Sequence, residues 1–372
     1  MDVGALIAPW LQTIRDQVPE VELFDAHTHL GEHDPDGMRQ NPRELHAELE
    51  AAGARGAFVF PMHEPDGYPP ANDMVLEAAA ASSGLLVPFC RVKPGAAALK
   101  EARRAIDLGA KGIKLHPRAE QFTLDHPDVR SLMALASERR LPVLIHAGRG
   151  IPALGSHALA YAREFPDARL ILAHAGITDL AWIWRSVADT PNLLFDSAWW
   201  LPEDLSALFA LVPPGQILFA SDAPYGHTLS AAACHLRLAL QAGLSPAQIA
   251  LIASGQSLRI ASGEPLAVAG PATGERQQPA RVLLDRLASF LQIGTMMQLR
   301  LGQGEEMLSL ARLACQVPPE VDDAPVFAAI ADLLDSYQLA QAEHPEDRLN
   351  LVLLVLAATV AKTPDVPLPA PA

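Results

Sequence analysis

Cysteine is scarce: Cys90, Cys234 and Cys315 are the only three in 372 residues. An odd, widely spaced set excludes a disulfide framework and reads as buried or idle thiols of a reducing compartment. Positive charge is also short. Against 43 Asp and Glu stand 28 Lys and Arg, a net charge of −15. That argues against non-specific binding to nucleic acid or to an anionic membrane. Long hydrophobic runs are missing too: Leu349–Ala361 is shorter than the roughly 20 residues a membrane span needs. The start, Met1-Asp2-Val3-Gly4, lacks a basic region followed by an apolar stretch, so no signal peptide is expected and the chain reads as soluble and cytoplasmic. No repeat recurs at solenoid lengths.

Apolar residues, in contrast, make up 50% of the chain, enough for a sizeable core. The length suits two domains, or one large barrel with an appendage. Eight short apolar runs precede residue 225: Glu22–Ala26, Gly56–Phe60, Leu86–Val92, Gly112–His116, Pro142–His146, Arg169–His174, Asn192–Asp196 and Gln216–Ser221. Helical patterns separate most of them, at Pro42–Ala52, Asn72–Ala81 (from an Asn cap), Ala96–Leu108, Asp128–Arg139, Thr178–Ala188 and Leu205–Leu211. Continuous apolar strands alternating with helices imply a parallel sheet covered on both faces. Eight such units predict an α/β fold, a closed (β/α)8 TIM barrel. An open doubly wound sheet would usually carry a Gly-rich turn after its first strand, where this chain has His27-Thr28-His29.

Thr228–Ala242 and Ser245–Ile260 read as helices that close the barrel, giving a catalytic domain over 1–263. Residues 264–280, rich in Pro, Gly and Ala, read as a linker. Four helical stretches follow, Arg281–Gln292, Glu305–Ala314, Pro325–Ala340 and Glu346–Ala361, and predict an all-α C-terminal domain over 281–363. Their apolar stripes leave three roles open: closing the barrel, a homodimer interface, or a lid. The Pro-rich residues 364–372 read as a disordered tail.

Four of the apolar runs stop at His or Asp. His27 and His29, two apart, share a face of an extended segment. His146 and His174 each end a strand and precede Ala-Gly, and the Gly leaves room above a barrel mouth. Asp222 ends strand eight in Phe219-Ala220-Ser221-Asp222-Ala223-Pro224 and has inward parity if Ile217 and Phe219 face the helices. There it can ligate a metal, accept a proton from metal-bound water, or both. In Gly112-Ile113-Lys114-Leu115-His116-Pro117 the same alternation puts Lys114 and His116 inward. Lys114 has three open roles: a carbamylated bridging ligand, a cation that neutralises substrate, or a structural ion pair. His116 lies nearer the rim, where substrate would sit. Imidazole and carboxylate are ligands for zinc and similar ions, so strand ends carrying them predict one metal site at the barrel mouth.

With these motifs in place, residues from about Glu22 to about Gly263 resemble the amidohydrolase superfamily, in its amidohydrolase-2 branch of metal-dependent TIM-barrel hydrolases and decarboxylases. The resemblance rests on His27-Thr28-His29, Lys114-Leu115-His116-Pro117, His146-Ala147-Gly148, His174-Ala175-Gly176 and Ser221-Asp222-Ala223-Pro224, in that order. It implies that His27, His29, His146 and Asp222 hold a divalent ion, usually zinc and one rather than two, with His174 a further ligand or a catalytic acid/base. It implies hydrolysis of an amide, ester or lactone in a small molecule: Asp222 takes a proton from water, and His174 or His116 stabilises the oxyanion or protonates the leaving group. Non-oxidative decarboxylation at the same site, or metal-dependent binding without catalysis, are the alternatives. Cations at the rim, His63, Arg91, Arg118 and Arg149, would suit an acidic substrate, and Trp199 and Trp200 could wall a ring.

Overall fold

The structure is a computed structural model describing residues 2–148, 151, 154–177, 179–274 and 281–370. An N-terminal helix, α1 (Val3–Gln17), leads into β1 (Leu23–Leu30), α2 (Pro42–Ala52), β2 (Ala54–Pro61), α3 (Pro69–Ala81), β3 (Leu86–Pro88), β4 (Cys90–Arg91) and α4 (Ala98–Asp107). Next come β5 (Ile113–Leu115), α5 (Pro117–Glu120), α6 (Pro127–Arg139), β6 (Pro142–Ile145), α7 (Leu154–Glu164), β7 (Arg169–Leu172), α8 (Leu180–Val187), β8 (Leu193–Asp196), α9 (Pro202–Leu211) and β9 (Ile217–Leu218). The remainder is helical: α10 (Thr228–Gln241), α11 (Pro246–Ala250), a π turn (Leu251–Gly255), α12 (Gln256–Ser262), α13 (Val282–Leu301), α14 (Glu305–Ala314), α15 (Ala324–Glu343) and α16 (Leu351–Lys362).

All strand pairs are parallel, in the order β1-β2-β3 and β4 through β9. β3 and β4 are one barrel position interrupted at Phe89, whose amide bonds to Val59 O at 2.8 Å. The seam closes through Ala26 N to Phe219 O (2.9 Å), Asp222 N to His27 O (3.0 Å) and His29 N to Ala223 O (2.8 Å). The fold is thus the expected (β/α)8 barrel with an all-α extension. Alternation decides the two faces. Phe58, Phe60, Leu144, Ile171, Leu194, Leu218 and Ala220 fill the barrel, while Ile113, Leu115, Val143, Leu170, Ile217 and Phe219 pack under the helices.

Several local expectations are corrected. Helix α3 begins at Pro69, not at an Asn72 cap. Asn72 lies inside it, buried, with Oδ1 accepting from Arg91 N (2.8 Å) and Nδ2 donating to Arg91 O (3.1 Å), and so pins β4. The start of the helix expected from Thr178 lies outside the described residues, which hold α8 from Leu180. Helix α1 has no counterpart in the expected elements. Its Val3, Ile7, Trp10, Leu11 and Ile14 are buried, and it packs on α10.

The apolar core that α13 to α16 form among themselves is continuous with that of the barrel. α16 lies against α9 and α10, and its Leu353, Leu354, Leu356 and Val360 belong to the apolar layer that also surrounds the strands. Each such leucine, fully buried, stabilises by about 1.5–3 kcal/mol. The segment after α12 runs beneath the barrel, held by Gln256 to Ala267 and by Gln248 to Ala269 O. Residues 364–367 are not the loose tail expected from their prolines. The buried Arg237 donates to Thr363 Oγ1 (2.7 Å), Thr363 O (3.1 Å), Val366 O (2.8 Å) and Pro367 O (2.6 Å), under the Trp10 ring.

Arg237→Ala should therefore lower the unfolding free energy by about 2–4 kcal/mol in urea titration, because four acceptors lose their donor. An unchanged midpoint would show that the clamp contributes nothing. Burial pushes the Cys90 and Cys234 thiols up to about 12 and that of Cys315 to about 11. A thiol-specific reagent at pH 8 should accordingly label the native protein far more slowly than the urea-unfolded one. Rapid labelling of the native protein would contradict this burial.

Candidate active site

The site begins with a bulge. β1 and β2 change register between Asp25 and Thr28, and an extra residue in a strand re-aims the side chains beyond it. Ala26 faces the barrel interior, and past the bulge His27 also turns inward, buried beside His29. The Asp25 carboxylate holds the kink. Oδ1 accepts from the amides of His27 (3.1 Å) and Ser221 (3.0 Å), and Oδ2 from Thr228 Oγ1 (3.0 Å). Burial raises Asp25 to about 6 even against these bonds.

Around that kink, polar atoms converge. His27 Nε2 and His29 Nε2 are 3.2 Å apart, and Asp222 Oδ1 lies 3.0 Å from the first and 3.1 Å from the second. His174 joins His27 and Asp222 with ligand atoms all within 4.8 Å. His146 stands one step back: its Nδ1 meets His174 Nε2 at 2.8 Å, and its buried Nε2 has no hydrogen-bond partner. Lys114, wholly buried, sets Nζ 3.0 Å from His27 Nε2 and 4.3 Å from the Phe60 ring centre. His116 stacks on His146 at 3.8 Å.

Strand parity alone would send His174 to the helix side, with Leu170 and Leu172. Its left-handed φ of 57° breaks the alternation and turns the ring inward, and Asp222 sits at φ 66°. Non-glycine residues hold such angles only where surrounding contacts over-determine them. For His174 those contacts are its amide to Asp196 Oδ1 (2.8 Å) and Nδ1 to Ala198 O (2.7 Å). Gly148 is required by close approach: a Cβ there would lie 2.2 Å from His146 Nε2.

Asp196 was not among the expected site residues. Its Oδ2 lies 2.8 Å from His27 Nδ1, while Oδ1 takes the amides of His174 and Ala198. A carboxylate on Nδ1 fixes the tautomer and leaves the Nε2 lone pair free. The signal was present, since Leu193-Leu194-Phe195 is another apolar run stopping at an acid.

Burial sets the protonation. It brings His29 down to about 3 and drops His116, His146 and His174 below the usual imidazole range, aided by neighbouring imidazoles. It lowers the Lys114 amine to about 7. Burial also works against a charged His27, but the Asp196 and Asp222 carboxylates prevail and hold it up. Burial opposes a charged Asp222 as well, yet the adjacent histidines keep its carboxyl well below the usual carboxylate range. His29, His146 and His174 are thereby kept neutral beside an ionised carboxylate, and His27, once it gives up its proton, completes a metal-binding donor set. Atoms bound to one tetrahedral ion at about 2.0–2.1 Å lie roughly 3.3 Å apart, close to the spacing of His27, His29 and Asp222. The residues fit a divalent ion.

The cluster opens into a cavity of about 1050 Å3 lined by His63, Arg91, Arg118, Trp199 and Trp200, among others. Arg91 is already engaged: buried, it donates to Glu120 Oε1 (2.6 and 3.1 Å) and Pro61 O (3.2 Å), as a guanidinium out of water must. Tyr68 OH donates to the same Glu120 oxygen at 2.5 Å. Arg118 is exposed and the Trp199 indole donates to Asp204 (2.7 Å). Arg149 lies outside the described residues.

The amidohydrolase family profile matches residues 24–260, and the chain belongs to that family of metal-dependent enzymes. No curated protein matches it. Among solved structures it is similar to an uncharacterised TIM-barrel protein from Bordetella bronchiseptica (16% identity, TM-score 0.53, 65% of this chain and 99% of the other). A zinc-bound amidohydrolase from Burkholderia multivorans matches at 15% identity and TM-score 0.53 over 65% and 99% of the two chains. A 2,6-dihydroxybenzoate decarboxylase in complex with 2,6-dihydroxybenzoate matches at 14% and 0.52 over 65% and 98%. At such identities the likeness is one of fold.

Asp196→Asn should weaken divalent-metal affinity by about 10–100-fold in a competitive chelator titration while the far-UV circular dichroism stays native. Unaltered affinity would remove Asp196 from the support of His27.

Proposed function

We propose that this enzyme is a hydrolase that cleaves an amide, ester or lactone bond of a small acidic molecule with the aid of one divalent ion, zinc by preference. The observation that carries the reading is the 3.0–3.2 Å convergence of His27, His29 and Asp222 beneath an open cavity. His27, His29 and Asp222 would hold the ion, with His174 as a further ligand or an acid/base and His146 behind it. When bound, the ion supplies Lewis acidity and lowers the pKa of water towards neutrality.

The chain's own groups do the rest. Asp222, ionised and only 21% exposed, accepts the proton of the attacking water. His174, oriented through Nδ1 on Ala198 O, presents Nε2 towards the His146 ring, so a proton can pass between the two. His116, stacked on His146, serves the leaving group or the oxyanion. Lys114, its amine lowered to about 7 by burial, sits with Nζ 3.0 Å from His27 Nε2; as a carbamate it would instead bridge two ions. Trp199 walls the ring or chain of the substrate, and His63 and Arg118 meet its acidic group.

Non-oxidative decarboxylation is the second reading. It is favoured by the fold likeness to 2,6-dihydroxybenzoate decarboxylase, with the same histidines protonating a carbanion.

Elemental analysis of protein purified without chelators should find about one divalent ion per chain, and Asp222→Asn should lose it. No metal after supply of zinc, manganese or cobalt would refute the proposal, and two ions would mark a Lys114-bridged pair. Once a substrate is found, His27→Ala should lower kcat/KM by at least about 10³. Label from 18O-water in the product marks hydrolysis; carbon dioxide released without it marks the decarboxylase.

A further inference from the structure

The family match ends at residue 260, and 65% of this chain accounts for 98–99% of the solved neighbours. Helices α13 to α16 are thus additional to them. Yet Leu299 and Arg300 of α13, Arg348 of the turn before α16, and Leu351, Val352 and Val355 line the cavity that holds His27 and Asp222. At about 1050 Å3 that cavity lies at the upper end of small-molecule sites, far more than a reacting amide or carboxylate fills.

The wall has a defined chemistry. The aliphatic side chains from α13 and α16, with Ala231 and Cys234 of α10, make this part of the lining mainly apolar. At its edge stand guanidinium groups. Among the described residues neither Arg300 nor Arg348 has a carboxylate partner, and the Arg348 guanidinium meets Met38 Sδ of the β1–α2 loop at 3.6 Å. The acids that line the cavity are mostly engaged. Asp34 takes Tyr225 OH and the Asp36 amide, Glu48 takes Thr228 and Gln40, Asp347 caps the Leu349 amide, and Asp222 lies among the histidines. The partners of Asp34, Glu48 and Asp347 are neutral and leave the acids their charge, and among the described residues Asp34, Asp36, Glu48 and Asp347 have no cationic partner; Arg300 and Arg348 are the guanidinium groups of the wall that the extension builds.

We propose that α13 and α16 form a distal subsite for an apolar segment that ends in a carboxylate, received by Arg300 and Arg348. The extension then decides which substrate enters, while the barrel rim does the chemistry. The proposal deepens the active-site reading above and can fail separately from it.

Octanoate is the probe, titrated calorimetrically into the full-length protein as purified, into Arg300→Gln/Arg348→Gln, and into Asp222→Asn. The expected result is binding to wild type, a roughly tenfold higher Kd in the arginine pair variant and less than a twofold change in Asp222→Asn. Octan-1-ol, which lacks the charge, should bind more weakly than octanoate and indifferently to the arginine substitutions. Both arginines are exposed, so the variant should fold; Val352→Asn provides a second variant that should also weaken octanoate. Absence of octanoate binding, or binding lost in Asp222→Asn and untouched by the arginines, overturns the distal subsite. The latter result leaves the metal centre standing, whereas a protein without metal that still binds octanoate through the arginines refutes only the metal reading.

Discussion

A single buried carboxylate joins the two chain segments that carry His27, His29 and Asp222. Asp25 reaches across the barrel seam and accepts the amides of His27 on the first strand and of Ser221 just beyond the last. Both amides would otherwise be buried without partners, because the bulge removes one from the ladder and the rim ends the other. The burial that makes Asp25 difficult to ionise also makes its bonds strong, since no water competes for them. His27 and Asp222 are two residues from Asp25 and one from Ser221, so their 3.0 Å approach depends on that brace.

Asp196 repeats the device on the next side of the cluster. It orients the His27 ring and supports the left-handed backbone of His174 through separate oxygens. Strain at His174 and Asp222 is thus held by hydrogen bonds to buried carboxylates and to the seam, in a barrel packed tightly enough to keep it. Rigidity at the rim contrasts with the cavity above it, where exposed arginines and aliphatic side chains from the extension form the wall.

Much of the barrel was legible in the sequence. Strand-and-helix alternation, continuous apolar runs and the stops at His27, His29, His146, His174 and Asp222 all have local causes. Alternation likewise marked Lys114 as inward, and Lys114 is buried against His27. Less legible were features whose reason lies in a distant partner. Asn72 has the chemistry of a cap but serves Arg91, nineteen residues on. Arg91 has the chemistry of a substrate clamp but is engaged by Glu120. The prolines after Thr363 suggested a free tail, yet the carbonyls of Thr363, Val366 and Pro367 are acceptors that Arg237 needs. Helix α1 could have been found from the spacing of Val3, Ile7, Trp10, Leu11 and Ile14.

By itself, then, the sequence determined the repeating unit, the inward parity of Lys114, His146 and Asp222 and the chemical kind of the candidate ligands, because period and residue type act over a few bonds. Only the tertiary structure decided which imidazole nitrogen faces the cluster, which cations are already paired, and that two of the added helices, α13 and α16, wall the same cavity as the histidines. Those properties belong to pairs of groups brought together from far apart in the chain, and burial, which sets their charge, exists only once the barrel has closed.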